Sequence, residues 1–399
     1  MTDSFTILNV VGARPNMMKM APLFAEMRRD LDLKPILVHT GQHYDYSMSK
    51  VFFEQLQMPE PDYNLEVGSG SHHAQTAEVL KRFGELTQEL RPDLIVVVGD
   101  VNSTMACALV GAKELVPVAH IEAGLRSQDR TMPEEINRVV TDAVSDLLFT
   151  TEESAARNLS REGVAAEKVF FVGNLMIDSL VGALPLARQS PLKARLGLRP
   201  RGYAVVTLHR PANVDDPERL RETLEALGKI AEHLPVIFPV HPRTLQRIDA
   251  VRNQPEAERT SAAGLATGGW RISTGLNTIP PASYLDFIGL VDDAAMVITD
   301  SGGIQEETTY LGIPCLTYRE NTERPVTLIQ HGGTNQLVGT SPESLVDAAQ
   351  QLLAQAGKPR QTIHEPPPKW DGKAAPRIVR ILRDYLHGRA DSGKTADGQ

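Results

Sequence analysis

The chain has 399 residues, 41% hydrophobic and 5% aromatic, with 41 basic against 50 acidic side chains and a net charge of −9. Its length asks for two domains of ordinary size, its composition suits a soluble α/β protein, and its acidic balance speaks against nucleic acid or an anionic membrane as partner. Cys107 and Cys315 are its two cysteines, each in an apolar context that argues against a disulfide framework or a thiolate metal site. No apolar run approaches the roughly 18 residues of a membrane span, and residues 1 to 12 lack the basic-then-apolar pattern of an export signal. A cytoplasmic enzyme is the expectation.

Thr6 to Val11 reads as a first parallel strand ending at Gly12, and Pro15 suits the first turn of a helix carrying Met17, Met18, Met20 and Leu23 at helical spacing. This strand–loop–helix junction bears Arg14 and Lys19, candidates for a phosphate, although the spacing is not that of a dinucleotide fingerprint. Pro35 to His39 is the next strand, followed by the polar loop Thr40-Gly-Gln-His-Tyr44. A helical pattern from His73 to Leu90 leads to the apolar strand Leu94–Val98. Asp100 follows Gly99 at its C-terminal end, where open α/β sheets keep their ligands. Helix-start turn chemistry with Thr104 is the alternative role for Asp100. Val116 to Ile121 then brings His120, Glu122 and Arg126 to the same crest, and Pro133 opens a helix with Glu134 and Glu135 in its first turn. Carboxylates there also suit the helix dipole. Asp100, Glu122 and Glu134 together, beside cations, make a proton-transfer site. Leu147–Thr150 and Val169–Val172 continue the alternation.

Prolines 185, 191 and 200 mark the inter-domain joint over Leu180 to Gly202. A fresh α/β series starts with the strand Ala204–Thr207 and the loop holding His209 and Arg210. His209 reads either as a packed histidine or as a catalytic residue beside Arg210. Val236 to Val240 is a strand ending in His241-Pro-Arg-Thr244, and residues 252–270 read as a surface insertion. A short helix, Tyr284–Ile288, carries Phe287, which would stack on a base or fill core. Met296–Thr299 is a buried strand, after which Asp300, Ser301, Gly302 and Gly303 turn into a helix from Ile304 to Tyr310. A strand, a small-residue turn and a helix N-terminus make an anion site, because free N–H groups and the positive dipole end point at the bend. An ordinary βα junction is the alternative on this piece alone. Ala374 to Leu386 reads as an amphipathic helix. The expected fold is α/β, two Rossmann-like domains facing a central cleft in a GT-B-like arrangement. Residues 1–185 form the first domain, 200–370 the second, 374–387 a helix packing back on the first, and 388–399 a disordered tail.

Nine blocks in order, GARPNMMKMAPL from Gly12, TGQHYD from Thr40, GDVNSTMA from Gly99, HIEAGLRS from His120, PEEINRVVTD from Pro133, VGNLMIDSL from Val172, LHRPANV from Leu208, TDSGGIQEE from Thr299 and NTERPV from Asn321, are similar to those of the non-hydrolysing UDP-N-acetylglucosamine 2-epimerase family. The resemblance runs over residues 5 to 386. It implies that Ser301, Gly302 and Gly303 contact the diphosphate, with Arg14 and Arg324 as cations beside it and His209 near it. It further implies that Glu307 takes the ribose hydroxyls, Phe287 walls the uracil pocket, and Asp100, Glu122 and Glu134 serve acid/base chemistry at the sugar, with Lys19 in the same first-domain motif. Gln42, His43, Arg210 and His241 match parts of a second, activating UDP-GlcNAc site known in bacterial members. UDP-GlcNAc and UDP are the implied ligands, no cofactor or metal is called for, and a homodimer is implied.

The chemistry implied is inversion at C2 by expulsion of UDP to a glycal and its re-addition. Two departures stand out. The first motif reads Arg-Pro-Asn rather than the commoner Arg-Pro-Glu, which puts Asn16 at a pocket or cap position. The segment between Arg126 and Pro133 is shorter than in many members, which leaves Glu135 as the alternative to Glu134. A modified UDP sugar of the diacetamido uronic acid type is the alternative substrate, and a GT-B glycosyltransferase the alternative from another class.

Overall fold

In a computed structural model of the protein, the described residues are 4–41, 58–252, 270–273, 275–355 and 365–396. The expected polar loop residues Gln42 and His43, and most of the expected insertion over 252–270, lie outside them, as does the side chain of Arg14. One sheet comprises β1 (Phe5–Val11), β2 (Leu33–His39), β3 (Tyr63–Asn64), β4 (Leu94–Val98), β5 (Val118–Ile121), β6 (Leu147–Thr150) and β7 (Val169–Phe171). The other comprises β8 (Ala204–Thr207), β9 (Val236–Pro239), β10 (Trp270–Ser273), β11 (Leu276–Ile279), β12 (Met296–Thr299), β13 (Cys315–Thr317) and β14 (Asn335–Leu337). The helices that matter below are α1 (Arg14–Met27), α2 (His72–Leu90), α3 (Asn102–Lys113), α4 (Pro133–Val144), α5 (Leu175–Ala187), α6 (Pro217–Ala231), α7 (Tyr284–Asp292), α8 (Gly302–Leu311) and α9 (Ala374–Ala396).

The chain divides into two compact units, residues 1–179 with 368–399, and residues 180–367. In the first unit the strand order is β3-β2-β1-β4-β5-β6-β7 and every pairing is parallel. In the second the order is β10-β11-β9-β8-β12-β13-β14, with β10 antiparallel at the edge. The winding direction reverses between β1 and β4 in one sheet and between β8 and β12 in the other. Loops leaving the C-terminal ends of those paired strands diverge there and open a place for ligands.

Both sheets are buried on their faces, which is why their strands read as continuous apolar runs. Leu94 to Val98 are all buried, and Ile95 and Val97 pack among Leu8, Val38, Phe83 of α2 and Cys107 of α3. In the second unit Val206, Ile298 and Leu316 pack against Leu220, Leu224 and Leu227 of α6. Each such side chain contributes about 1.5–3 kcal/mol through burial. This core makes the crest loops a fixed platform.

Two expectations change. The joint expected over 180–202 begins inside a helix, because Pro185 falls in the last turn of α5, where little of the helical ladder remains to be broken. The tail expected to be disordered from 388 instead extends α9 to Ala396. Docking supports it: Arg383 and His387 reach Asp30 and Asp32, and the His387 ring meets Phe5 edge-on. A helix so anchored adds residues at low cost once nucleated. Strands β13 and β14, three residues each, carry too little pattern to be read from sequence. No described helix is long and apolar enough to cross a membrane.

Candidate functional sites in the two units

In the first unit the site grows from the switch between β1 and β4. Asn16, in the first turn of α1, accepts a hydrogen bond from the Ala13 N–H at 3.0 Å and donates to the Val98 carbonyl at 2.8 Å. The amide does what a carboxylate could not, since a carboxylate has no hydrogen to give a carbonyl. Asn16 therefore ties the start of α1 to the end of β4. Gly99 follows in the left-handed region with φ of 72°, and a Cβ there would sit 3.0 Å from the Asn16 amide. That turn delivers Asp100.

The Asp100 carboxylate is held by the forked Arg138 guanidinium of α4, at 3.0 Å from Nε and 2.8 Å from Nη2. Arg138 spends its remaining arm on Glu135 at 2.5 Å. Asn137 donates to the Asp100 carbonyl at 2.8 Å. Thr104 bonds the Val98 carbonyl, so the alternative role for Asp100, turn chemistry with Thr104, gives way to the ion pair with α4. Glu122 stands one strand over, buried, with φ of 70°, a conformation that costs free energy for a residue bearing a Cβ. Its carboxylate is ion-paired with the buried Lys19 ammonium. Lys19, expected as a phosphate cation, is in this arrangement the partner of an acid.

The two glutamates of α4 differ. Glu135 is buried and accepts from the Ser127 and Gln128 N–H groups at 2.9 and 3.0 Å, which makes it the anchor of the loop before α4. Glu134 is half-buried in the first turn, with no side-chain hydrogen bond or ion pair to a described residue. Of the three acids expected together, Asp100 and Glu122 end adjacent strands, whereas Glu134 stands apart from their cation partners with its carboxylate unspent.

In the second unit the loops after β8 and β12 are bound together by Asp300. Its buried carboxylate accepts from the N–H of His209 and of Arg210, from the Asn213 amide, and pairs with His209 Nδ1 at 2.9 Å. Burial alone would raise its pKa, but the His209 contact and the amide donors hold it below the usual carboxylate range. The His209 side chain is otherwise exposed. Arg210 also donates Nε–H to the Asp300 carbonyl. Asp300 was read from sequence only as a turn residue; a carboxylate between a strand and a Gly-Gly turn is the signal for its anchoring role.

Ser301 is the N-cap of α8 and its side chain makes no capping bond, while the first-turn N–H groups of any helix lack intrahelical partners. A Cβ on Gly302 would fall 2.5 Å from Glu323 Oε1 and 3.3 Å from Arg324 Nε, so the side chains of the loop after β13 come up against this helix start and would have to shift to admit a larger residue. Gly303 follows as the second residue of α8. Arg324 pairs with Glu306 at 2.5 Å. Glu307, on the same helix, is fully buried and meets the Tyr284 hydroxyl of α7 at 3.2 Å. Burial pushes its pKa up to about 8, the Tyr284 hydrogen bond opposing the rise and the Glu306 charge adding to it. Phe287, one turn along α7 from Tyr284, is half-buried against the core. His241 is exposed after β9. The sequence reading missed Arg138 and Tyr284, whose roles depend on partners 38 and 23 positions away.

The model of the UDP-N-acetylglucosamine 2-epimerase family matches residues 25–383. A UDP-N-acetylglucosamine 2-epimerase of Methanocaldococcus jannaschii is 39% identical over 378 residues, covering 94% of this chain and 97% of that one. The UDP-2,3-diacetamido-2,3-dideoxy-D-glucuronate 2-epimerase of Pseudomonas aeruginosa is 40% identical over 94% of this chain and 99% of its own length. Among solved structures, the Methanocaldococcus jannaschii UDP-GlcNAc 2-epimerase in complex with UDP-GlcNAc and UDP superposes with a TM-score of 0.81 at 39% identity, over 95% of this chain and 99% of that one.

Proposed function

The chain belongs to the UDP-N-acetylglucosamine 2-epimerase family, and we propose that it interconverts UDP-N-acetylglucosamine and UDP-N-acetylmannosamine without hydrolysing them. The observation that carries the reading is in the first unit: two carboxylates at the ends of adjacent strands, Asp100 and Glu122, each held by its own cation.

The hydrogen at C2 has no carbonyl beside it and is not acidic enough to be removed directly. Proposed instead is an anti elimination. The C1–O bond breaks with its electron pair leaving on UDP, a base takes the C2 proton, and a C1–C2 double bond forms, giving 2-acetamidoglucal. UDP then returns its oxygen to C1 while an acid delivers a proton to the opposite face of C2. Two faces call for more than one proton carrier, and Asp100, Glu122 and Glu134 are the proposed carriers. Charge developing on the departing diphosphate is met, in this reading, by Arg14, Arg324 and the N–H groups behind Ser301, Gly302 and Gly303, with His209 beside them. Glu307 is assigned to the ribose hydroxyls and Phe287 to the uracil wall. The proposed division of labour gives UDP to the second unit and the protons to the first.

Incubation of the purified protein with UDP-GlcNAc in D2O, without any acceptor, tests this. Deuterium at C2 and the appearance of UDP-ManNAc by NMR are expected. A folded protein that binds UDP yet shows neither would overturn the reading. A UDP-diacetamido uronic acid is the second substrate reading, supported by the 40% identity to the Pseudomonas aeruginosa enzyme. Running both substrates side by side decides between them by the ratio of kcat/KM.

A further inference from the structure

His120 sits on β5, completely buried, two residues before Glu122. Its Nε2 lies 2.9 Å from the Gly99 carbonyl oxygen, which can only accept. That nitrogen must carry a hydrogen. Its Nδ1 lies 2.6 Å from Asp142 Oδ1. The other oxygen of Asp142 accepts from the Gly124 N–H at 3.0 Å and from Arg126 Nη2 at 2.8 Å. Burial by itself would raise the pKa of Asp142, but His120 and Arg126 hold it below the ordinary value. With Asp142 ionised, a carboxylate that only accepts, Nδ1 carries a hydrogen as well. Arg126 completes the cluster with two bonds to Glu162, at 2.9 and 2.6 Å. With His120 as the imidazolium, two cations, His120 and Arg126, face two carboxylates, the buried Asp142 and the part-exposed Glu162. With a neutral ring and Asp142 still ionised, one of the two short contacts would become an acceptor facing an acceptor.

The consequence lies in what the two ends of the cluster grip. The Gly99 carbonyl belongs to the peptide that immediately precedes Asp100, in a turn with φ of 72°. Gly124 lies two residues past Glu122, itself at φ of 70°. We propose that His120 and Asp142 are a positioning pair in which a buried imidazolium–carboxylate contact fixes the backbone that carries both Asp100 and Glu122. One carboxylate, on α4, sets one turn through the histidine and the other turn directly. Arg138, one helical turn earlier on α4, fixes the Asp100 side chain that the histidine's grip presents. A helix face thus determines both the backbone and the side-chain position of the acid. The pair acts through Asp100 and Glu122 and does not itself touch the sugar in this account, which rests on the reading that those two acids move the protons.

Two measurements test it on the full chain. In protein labelled with 15N at histidine, one-bond 15N–1H spectra at neutral pH should show a hydrogen on each ring nitrogen of His120, assigned by its loss in His120→Gln. A single protonated nitrogen overturns the imidazolium. The variants His120→Gln and Asp142→Asn should lower kcat by about 10- to 100-fold, leaving KM for UDP-GlcNAc and the Kd for UDP within about threefold. Loss of UDP affinity in parallel with kcat would point to general unfolding rather than positioning, and would overturn the proposal, as would unchanged kcat. Asp100→Asn serves as the reference. If it abolishes C2 exchange while His120→Gln retains full kcat, the positioning pair falls and the assignment of Asp100 stands. If Asp100→Asn turns over normally, the assignment of Asp100 falls, and the 15N spectrum still decides the charge of His120.

Discussion

Asp100, at the end of a strand, and Glu307, in the middle of α8, are both carboxylates, yet their surroundings differ. Asp100 is gripped by a guanidinium fork and keeps a part-exposed side chain. Asp100→Asn preserves the shape and removes the proton carrier, so UDP affinity should stay within about twofold while C2 deuteration falls by 100-fold or more. Unchanged exchange in that variant removes Asp100 from the mechanism. Glu307 has a hydroxyl for a partner, and burial raises its pKa from 4.5 to about 8. The unfolded chain loses this proton near the ordinary value and the folded chain near 8. Between those limits the folded state binds the extra proton, so this group's contribution to stability declines as pH rises through the window. Glu307→Gln removes that decline. Its melting temperature relative to the unaltered protein should therefore rise from pH 5 to pH 8, by scanning calorimetry in matched buffers. A difference that is flat with pH would contradict the assignment.

At the scale of elements, α4 organises the acid site. Its residues Glu135, Asn137, Arg138 and Asp142 all point partners at the crest loops. Asn137→Ala removes the donor to the part-buried Asp100 carbonyl and should cost about 0.5–1.5 kcal/mol, read from urea midpoints. The start of α8 is the proposed anion site. Gly302→Ala would drive a methyl group toward Glu323 and Arg324, and Ser301→Trp would fill the helix start altogether. Both should weaken UDP binding at least tenfold by titration calorimetry while leaving the first unit's fold intact. Normal affinity in Ser301→Trp would remove the phosphate site from this place. The junctions at β4, β5 and β12 were legible in sequence because each joins a continuous apolar run to a polar turn. The extent of α9 was not, since residues beyond 387 have no apolar stripe and are carried by the docked turns before them.

For the whole chain, the periodic alternation of strands and helices and the ordered motif blocks made two parallel-sheet units legible. The pairings that define the acid site were not. Asp100 with Arg138 and His120 with Asp142 span 38 and 22 positions, and no local pattern reports which charged side chain meets which across a crest. Sequence likewise placed Glu134 and Glu135 side by side; only burial separates the loop anchor from the unspent carboxylate. Binding to the folded state alone should also stabilise it, by about 2.7 kcal/mol at a UDP concentration 100 times the Kd. That gain should vanish in Ser301→Trp and survive in Asp100→Asn, by thermal shift.

The central claim is that C1–O cleavage accompanies proton exchange at C2, and an isotope in the bridging oxygen tests it most directly. UDP-GlcNAc carrying 18O between C1 and the β-phosphorus would be incubated with the enzyme and recovered before equilibrium is complete. If UDP leaves and returns, the label spreads into the non-bridging oxygens of the β-phosphate on the time scale of epimerisation, visible as shifted 31P signals. Label that stays in the bridge while C2 acquires solvent deuterium would mean that the sugar never parts from UDP, and would contradict the account.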